Sequence, residues 1–225
     1  SAILKRMVEK QIFEYYDSEV KRNLINDQSN SQDYSLSTKQ NIAFNEIKRK
    51  FKLDNNVLLK GVTSSGKTEI YMSLISSYLK SKNQILYLVP EIALTTQLVE
   101  RLKVYFPKNL VVYHSGLNIN QRAELWTDII KNEGPQIIIG ARSAIFLPYN
   151  NLKLIIVDEE HEQTYKQYEP SPRYHARDSS LVLANIHNSK VLLGSATPSI
   201  ESFYNCDESK KFALVELNER FGNIP

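Results

Sequence analysis

Val57-Leu58-Leu59-Lys60-Gly61-Val62-Thr63-Ser64-Ser65-Gly66-Lys67-Thr68 is an apolar β-type run that breaks into a glycine-bounded loop and leads into a helical stretch beginning near Lys67. That is the P-loop pattern in its expected context. Glycines let backbone N–H groups turn inward on phosphate oxygens, and the helix that follows adds the positive end of its dipole. Gly61, Thr63, Ser64, Ser65 and Gly66 form the candidate cradle, Lys67 is placed to reach the β- and γ-phosphates, and the Thr68 hydroxyl is a candidate ligand for Mg2+.

Outward from the loop, short apolar runs recur at 85–89, 110–113, 136–139, 154–157 and 191–193, separated by helical segments. Nearly continuous Val/Ile/Leu runs alternating with helices predict strands buried on both faces of a parallel sheet. The expected fold class is α/β, a three-layer P-loop NTPase domain with a mostly parallel central sheet. In such a sheet, ligands bind beyond the carboxyl ends of the strands, so residues just after each run take the functional reading first.

Composition bounds the remaining classes. The 225 residues fit one α/β lobe with an appendage, and 42% hydrophobic with 24% charged residues is ordinary for a globular chain. A net charge of +3 tolerates a polyanion without identifying one. Cys206 is the only cysteine, which excludes an internal disulfide and a cysteine-built zinc site within this sequence. No apolar run approaches the about 18 residues that span a bilayer, so no membrane partner is expected and a cytoplasmic location is. A polar stretch at 26–35 reads as a linker, which divides a small piece, 1–30, from a main domain, 31–225.

Leu154-Ile155-Ile156-Val157-Asp158-Glu159-Glu160-His161 is an apolar strand ending in acids. Asp158 at the strand tip suits Mg2+, and Glu159 suits polarisation of an attacking water. Lys67, Asp158 and Glu159 are therefore the candidate catalytic residues.

Asp158-Glu159-Glu160-His161 resembles motif II of DEAH-type helicases of superfamily two, and Gly194-Ser195-Ala196-Thr197-Pro198 resembles their motif III. Gln40 lies where such helicases place an adenine-reading glutamine; a polar helix-start residue is the equal alternative. Pro90-Glu91-Ile92-Ala93-Leu94-Thr95-Thr96-Gln97, Ile139-Gly140-Ala141-Arg142-Ser143-Ala144-Ile145-Phe146, and Tyr165-Lys166-Gln167 with Arg173-Tyr174-His175-Ala176-Arg177-Asp178 are similar to segments of the PriA family of replication-restart helicases, in the same order. The resemblance covers about residues 36–198. It implies a RecA-like first lobe that uses ATP with Mg2+. It also implies a three-prime to five-prime DNA helicase acting at stalled forks and D-loops to restart replication and assemble the primosome.

Further expectations follow from that resemblance. Single-stranded or forked DNA, single-stranded DNA-binding protein and other primosome proteins become the expected partners, with a nucleoid-associated location. Residues 1–30 look like the end of a preceding winged-helix region with its linker. The second RecA-like lobe with its arginine finger and a zinc module are both expected outside this sequence, so the chain alone should hydrolyse ATP barely or not at all. Thr95 and Thr96 are implied single-strand contacts, Ser195 and Thr197 link the ATP site to the DNA track, and the aromatic-rich stretch at 165–177 is implied to signal bound DNA.

On the residues' own chemistry, Tyr165, Arg173, Tyr174 and His175 combine ring faces for stacking with cations for phosphate. The alternative is a packed loop. Arg142 is either a phosphate contact or a salt-bridged rim arginine. Lys48-Arg49-Lys50-Phe51-Lys52 looks like a DNA patch but reads better as the cationic end of a helix begun near Thr38, and Trp126 reads as core from its helical spacing. Two rivals stay open, a P-loop ATPase or kinase without a nucleic-acid track and a passive binding module. Neither needs Ser195-Ala196-Thr197.

Overall fold

The computed structural model describes residues 36–207 and 211–220. The proposed winged-helix remnant at 1–30 lies outside the described residues. Along the chain run α1 (Thr38–Lys50), β1 (Asn56–Gly61), α2 (Lys67–Tyr78), β2 (Gln84–Leu88), α3 (Thr96–Tyr105), β3 (Leu110–Tyr113), α4 (Ile119–Lys131), β4 (Gln136–Gly140) and β5 (Leu152–Asp158). A short hairpin follows, β6 (Lys166–Gln167) with β7 (Tyr174–His175), then α5 (Ala176–His187), β8 (Lys190–Ser195), α6 (Ile200–Asp207) and β9 (Ala213–Leu217).

Seven strands pair in parallel in the order β3-β4-β2-β5-β8-β1-β9. Side chains alternate across the sheet with a period of two: Val57 and Leu59 of β1 pack into one core with Ile47, Ile70, Leu74 and Ile75, while Leu58 joins Ile129, Ala144 and Ala184 on the other face. Because both faces are covered, β2 is buried at all five positions, which is why these strands read as unbroken apolar runs rather than alternating ones. The expected three-layer RecA-like α/β fold is the observed one.

Three local features depart from or refine the sequence reading. β9 was not expected: it adds an edge to β1, with Val57 opposite Ala213 and Gly61 opposite Leu217. Trp126 is not core. It is 47% exposed on α4, whose buried side is carried by Ile129. The basic run closes α1 as expected, with Lys48, Arg49 and Lys50 in the last turn and Phe51 capping it.

Candidate nucleotide and nucleic-acid site

Every strand of the large sheet points its carboxyl end the same way, so β1, β5 and β8 deliver the P-loop, the acidic turn and the Ser-Ala-Thr element to one rim. After β1, the loop turns through left-handed backbone at Ser64 (φ 61°) and Gly66 (φ 81°) before α2 starts at Lys67. At Gly66 a Cβ would fall 2.0 Å from Nε2 of Gln40, so only glycine fits both the turn and the approach. Gln40 is buried, its Oε1 accepts from the Ser37 N–H (2.9 Å), and its Nε2 donates to the Ser65 carbonyl (3.2 Å). Gln40 is the polar helix-start residue of the second reading, closing a capping box with Ser37, and its side chain also braces the phosphate loop.

Lys67 Nζ donates to the Gly61 carbonyl at 3.0 Å and lies 3.5 Å from Oε1 of Glu159. Its ammonium thus stands between the loop and the acidic turn. The Ser65 hydroxyl is buried without a hydrogen-bond partner inside the same loop. A cradle of this shape, a lysine at its mouth and carboxylates opposite fit a Mg2+-nucleotide: Gly61 to Thr68 would hold the phosphates, with Thr68 and Asp158 as the metal ligands.

Asp158 is fixed from two sides that the sequence reading missed. Tyr71 donates to Oδ1 (3.1 Å) and Tyr87 to Oδ2 (3.2 Å), and the two rings meet edge-on at 5.8 Å. Tyr71 lies four residues after Lys67 on α2, hence on the same helical face; Tyr87 interrupts an aliphatic strand. Gly194 makes room for this pair, since a Cβ there would sit 1.8 Å from the Tyr71 hydroxyl. Burial, then the charge of Glu159, push the Asp158 carboxyl from 3.8 up to about 6, against the Tyr71 hydrogen bond and the Lys67 charge. Burial and the neighbouring Asp158 push both tyrosines well above their ordinary value, so both remain donors.

The residue after Asp158 is strained. Glu159 has φ 45°, a conformation that costs an L residue about 1–2 kcal/mol. Asp158 Oδ1 accepts from its N–H (3.0 Å), and the Glu159 carbonyl accepts from the Glu162 N–H (2.9 Å). Such strain persists only where neighbours over-determine it. Ser195, fully buried, places its hydroxyl 2.8 Å from Nδ1 of His161 and accepts from the Thr197 N–H at 3.0 Å. Motif II and the Ser-Ala-Thr element are therefore joined directly, while Thr197 itself is exposed.

Beyond the acidic turn, the stretch at 165–177 forms the β6–β7 hairpin, with Lys166 opposite His175 and Gln167 opposite Tyr174. Tyr165 is 1% exposed, and its hydroxyl donates to the Asp158 carbonyl at 2.6 Å, with the Leu88 carbonyl at 3.1 Å. It cannot stack on a base; its place is between the hairpin and the strand tip. Among the described residues Arg142 pairs with no acid: Nη1 reaches the Thr164 and Lys166 carbonyls at 3.3 Å each, holding the hairpin's first strand. Tyr174 packs edge-on against Phe146 at 4.8 Å. His175 is pulled below its ordinary value by burial and then by Arg177, so it is neutral at pH 7.

Arg142, Lys166, Tyr168, Glu169 and Arg173 line an open cavity of ≈ 530 Å³ on the hairpin's outer side, where Lys166 Nζ sits 4.8 Å over the Tyr168 ring. Tyr168 is 57% exposed and lies inside the aromatic-rich stretch, though it is not among the four residues singled out there from the sequence. Thr95 caps α3, accepting from the Leu98 N–H, and is exposed together with Thr96.

Residues 37–205 match the sequence model of the DEAD/DEAH box helicase family. The chain is 49% identical to the replication restart protein PriA of Haemophilus influenzae over 84% of this chain and 25% of that protein. It is 39% identical to that of Bacillus subtilis over 98% of this chain and 28% of that protein. It spans about a quarter of the length of these curated relatives. Among solved structures, RecG bound to a three-way DNA junction superposes with a TM-score of 0.57 at 20% identity, covering 83% of this chain and 24% of that one. Mycobacterium smegmatis Lhr bound to single-stranded DNA and AMP-PNP gives 0.59 at 19%, covering 82% and 26%. At that identity the likeness speaks for the fold. No helix among the described residues is long and apolar enough to cross a membrane. On the strength of its match at 37–205 and its PriA relatives, the chain belongs to the DEAD/DEAH box helicase family.

Proposed function

We propose that this chain is the ATP-binding lobe of an ATP-dependent DNA helicase of the PriA kind. The observation that carries the reading is the junction at the sheet rim: Lys67 lies 3.5 Å from Glu159, and His161 of the same turn is bonded to Ser195. A nucleotide-only enzyme has use for the first contact but not for the second, which runs away from the phosphates toward an exposed Thr197. In the family's relatives named above, replication restart is the stated role, and that role is the one proposed here.

In the proposed mechanism Gly61, Thr63, Ser64, Ser65, Gly66 and Thr68 cradle ATP, with Gln40 bracing the loop and set near the adenine. Thr68 and Asp158 would hold Mg2+, which would supply neutralisation of the charge developing on the phosphoryl oxygens. Lys67 leaves Gly61 for the γ-phosphate. Glu159, released from Lys67, orients the attacking water and accepts its proton. Thr95, Thr96, Arg142, Arg173, Tyr174 and His175 border the DNA track, and Tyr165, Ser195 and Thr197 carry its state inward. The preferred DNA is single-stranded or forked, with movement three-prime to five-prime at stalled forks and D-loops. Single-stranded DNA-binding protein and primosome components are the proposed partners in a nucleoid-associated cytoplasmic protein, and zinc belongs to a part beyond this sequence.

The decisive experiment is steady-state ATP hydrolysis by the full-length protein with and without single-stranded DNA. Stimulation of at least about tenfold is the expected result, in line with sites completed only when all parts are in place. Hydrolysis indifferent to DNA would overturn the helicase reading in favour of a plain P-loop ATPase.

A further inference from the structure

Glu160 has no role in the scheme above, yet it is the most completely engaged acid in the site. It is 0% exposed. Its Oε1 accepts from the Ser199 N–H at 2.7 Å; its Oε2 accepts from Ser202 Oγ at 2.8 Å and from Arg177 Nη1 and Ser199 Oγ at 3.1 Å. These donors come from two separate places, the first turn of α5 and the start of α6. The Glu160 N–H is tied to the Gly194 carbonyl at 3.0 Å. Arg177, 8% exposed, also donates to Ser199 Oγ at 2.7 Å and to Asp178 at 2.8 Å.

A buried ion pair is a poor way to gain stability, because desolvating both partners offsets most of their attraction, and apolar residues of similar volume do as well or better. What such a network does well is specify one arrangement. The arrangement specified here is the turn that contains Glu159. Asp158 is pinned by Tyr71 and Tyr87 on one side of it and Glu160 by Arg177 and the serines on the other, so both chain neighbours of Glu159, with its left-handed backbone, are held. Arg177 in turn stands two residues after β7, with Ala176 alone between it and His175, so a displacement of the hairpin reaches it through that single residue.

We propose that the Glu160–Arg177 pair is a positioning device that holds Glu159 in its catalytic turn and makes that hold depend on the hairpin. The proposal rests on the helicase reading above. Neither residue touches nucleotide or DNA; both act through Glu159.

The test uses the full-length protein, with kcat, KM for ATP, the DNA-stimulation ratio and the melting temperature measured for each variant. Glu160→Gln and Arg177→Lys should each lower DNA-stimulated kcat, by at least about tenfold for the former, with KM for ATP within about threefold of wild type, since the cradle is untouched. The double variant Glu160→Gln, Arg177→Gln replaces the ion pair by a neutral hydrogen-bonded one. It should recover melting temperature without recovering kcat. Wild-type kcat and stimulation in Arg177→Lys, the mildest change, would overturn the proposal whatever the other variants do. So would joint recovery of melting temperature and kcat in the double variant, which is the signature of packing alone. A wild-type protein without DNA-stimulated hydrolysis would remove the helicase reading and this proposal together, whereas a normal wild type with normal variants removes only the latter.

Discussion

The phosphate loop and the β6–β7 hairpin sit at the same rim of the sheet and are built on opposite plans. In the loop, function is a property of the backbone: eight consecutive residues carry left-handed φ at Ser64 and Gly66 and place one lysine. Around the hairpin, several side chains are committed to partners outside the two strands. Tyr165 reaches Asp158, Arg142 reaches Thr164 and Lys166, and Tyr174 meets Phe146. A site made of local geometry tolerates its surroundings; one made of long-range contacts reports on them. The loop is thus suited to binding and the hairpin to signalling.

The sharpest way to break that contrast is to strip the loop. Lys67→Ala should weaken binding of ADP with Mg2+ by at least about 100-fold, because the one charged donor at the cradle's mouth is lost. Calorimetry on the chain reads this directly, and retention of affinity would mean that the hairpin side, not the loop, holds the nucleotide.

Next in size is the converse experiment. Tyr168→Ala with Arg173→Ala, both exposed and outside the fold's core, should cut the DNA stimulation of hydrolysis by about tenfold, from losing a stacking face and a phosphate contact. ADP affinity should stay within about twofold. Loss of nucleotide affinity in that variant would show the two regions to be one site.

Asp158 allows a smaller test through pH. Its carboxyl is raised from 3.8 to about 6, so the folded state holds its proton more tightly than the unfolded chain does. The resulting stabilisation is full below about 4 and is lost as pH rises through about 6. Asp158→Asn, free of the buried charge, should therefore melt higher than wild type near neutral pH, with the gap closing as the pH is lowered toward about 4. Over the same range Mg2+-dependent nucleotide binding by the wild type should weaken as Asp158 takes up its proton. A gap that widens on acidification would reverse the assignment.

Smallest is Tyr165→Phe, which removes the hydroxyl bonded to Asp158 while keeping the ring. A cost of about 1 kcal/mol in unfolding free energy is expected, together with a lower DNA-stimulation ratio and unchanged ADP affinity. An unaltered ratio would mean that the hairpin signals through the Glu160 network alone.

How much of this was legible in the sequence follows the same division. The sheet could be read because buried parallel strands leave unbroken apolar runs, and the P-loop and acidic turn because their functional groups are neighbours in the chain. β9 escaped because an edge strand with Glu216 at its exposed position lacks that run. Trp126 was misplaced because spacing identifies a helical face without saying whether anything covers it. The Tyr71–Asp158–Tyr87 triangle and the Glu160–Arg177–Ser199–Ser202 cluster join residues up to 87 positions apart, and no local pattern encodes such pairing. Weak signals existed, in a lone tyrosine within an aliphatic strand and in a second glutamate after the acid pair.

The exposed position of Trp126 has a spectroscopic consequence. It is the single tryptophan among 225 residues, and it lies half in solvent on α4, with Ile119 and Ile130 exposed on the same helix. Its emission should already be shifted to the red and accessible to a quencher such as iodide in the native protein. Unfolding followed by intrinsic fluorescence will therefore show a shallow transition that understates the cooperativity of the core, and far-ultraviolet dichroism is the better monitor of melting. The same indole becomes a reporter of anything that settles on α4, because covering that surface should shift its emission to the blue.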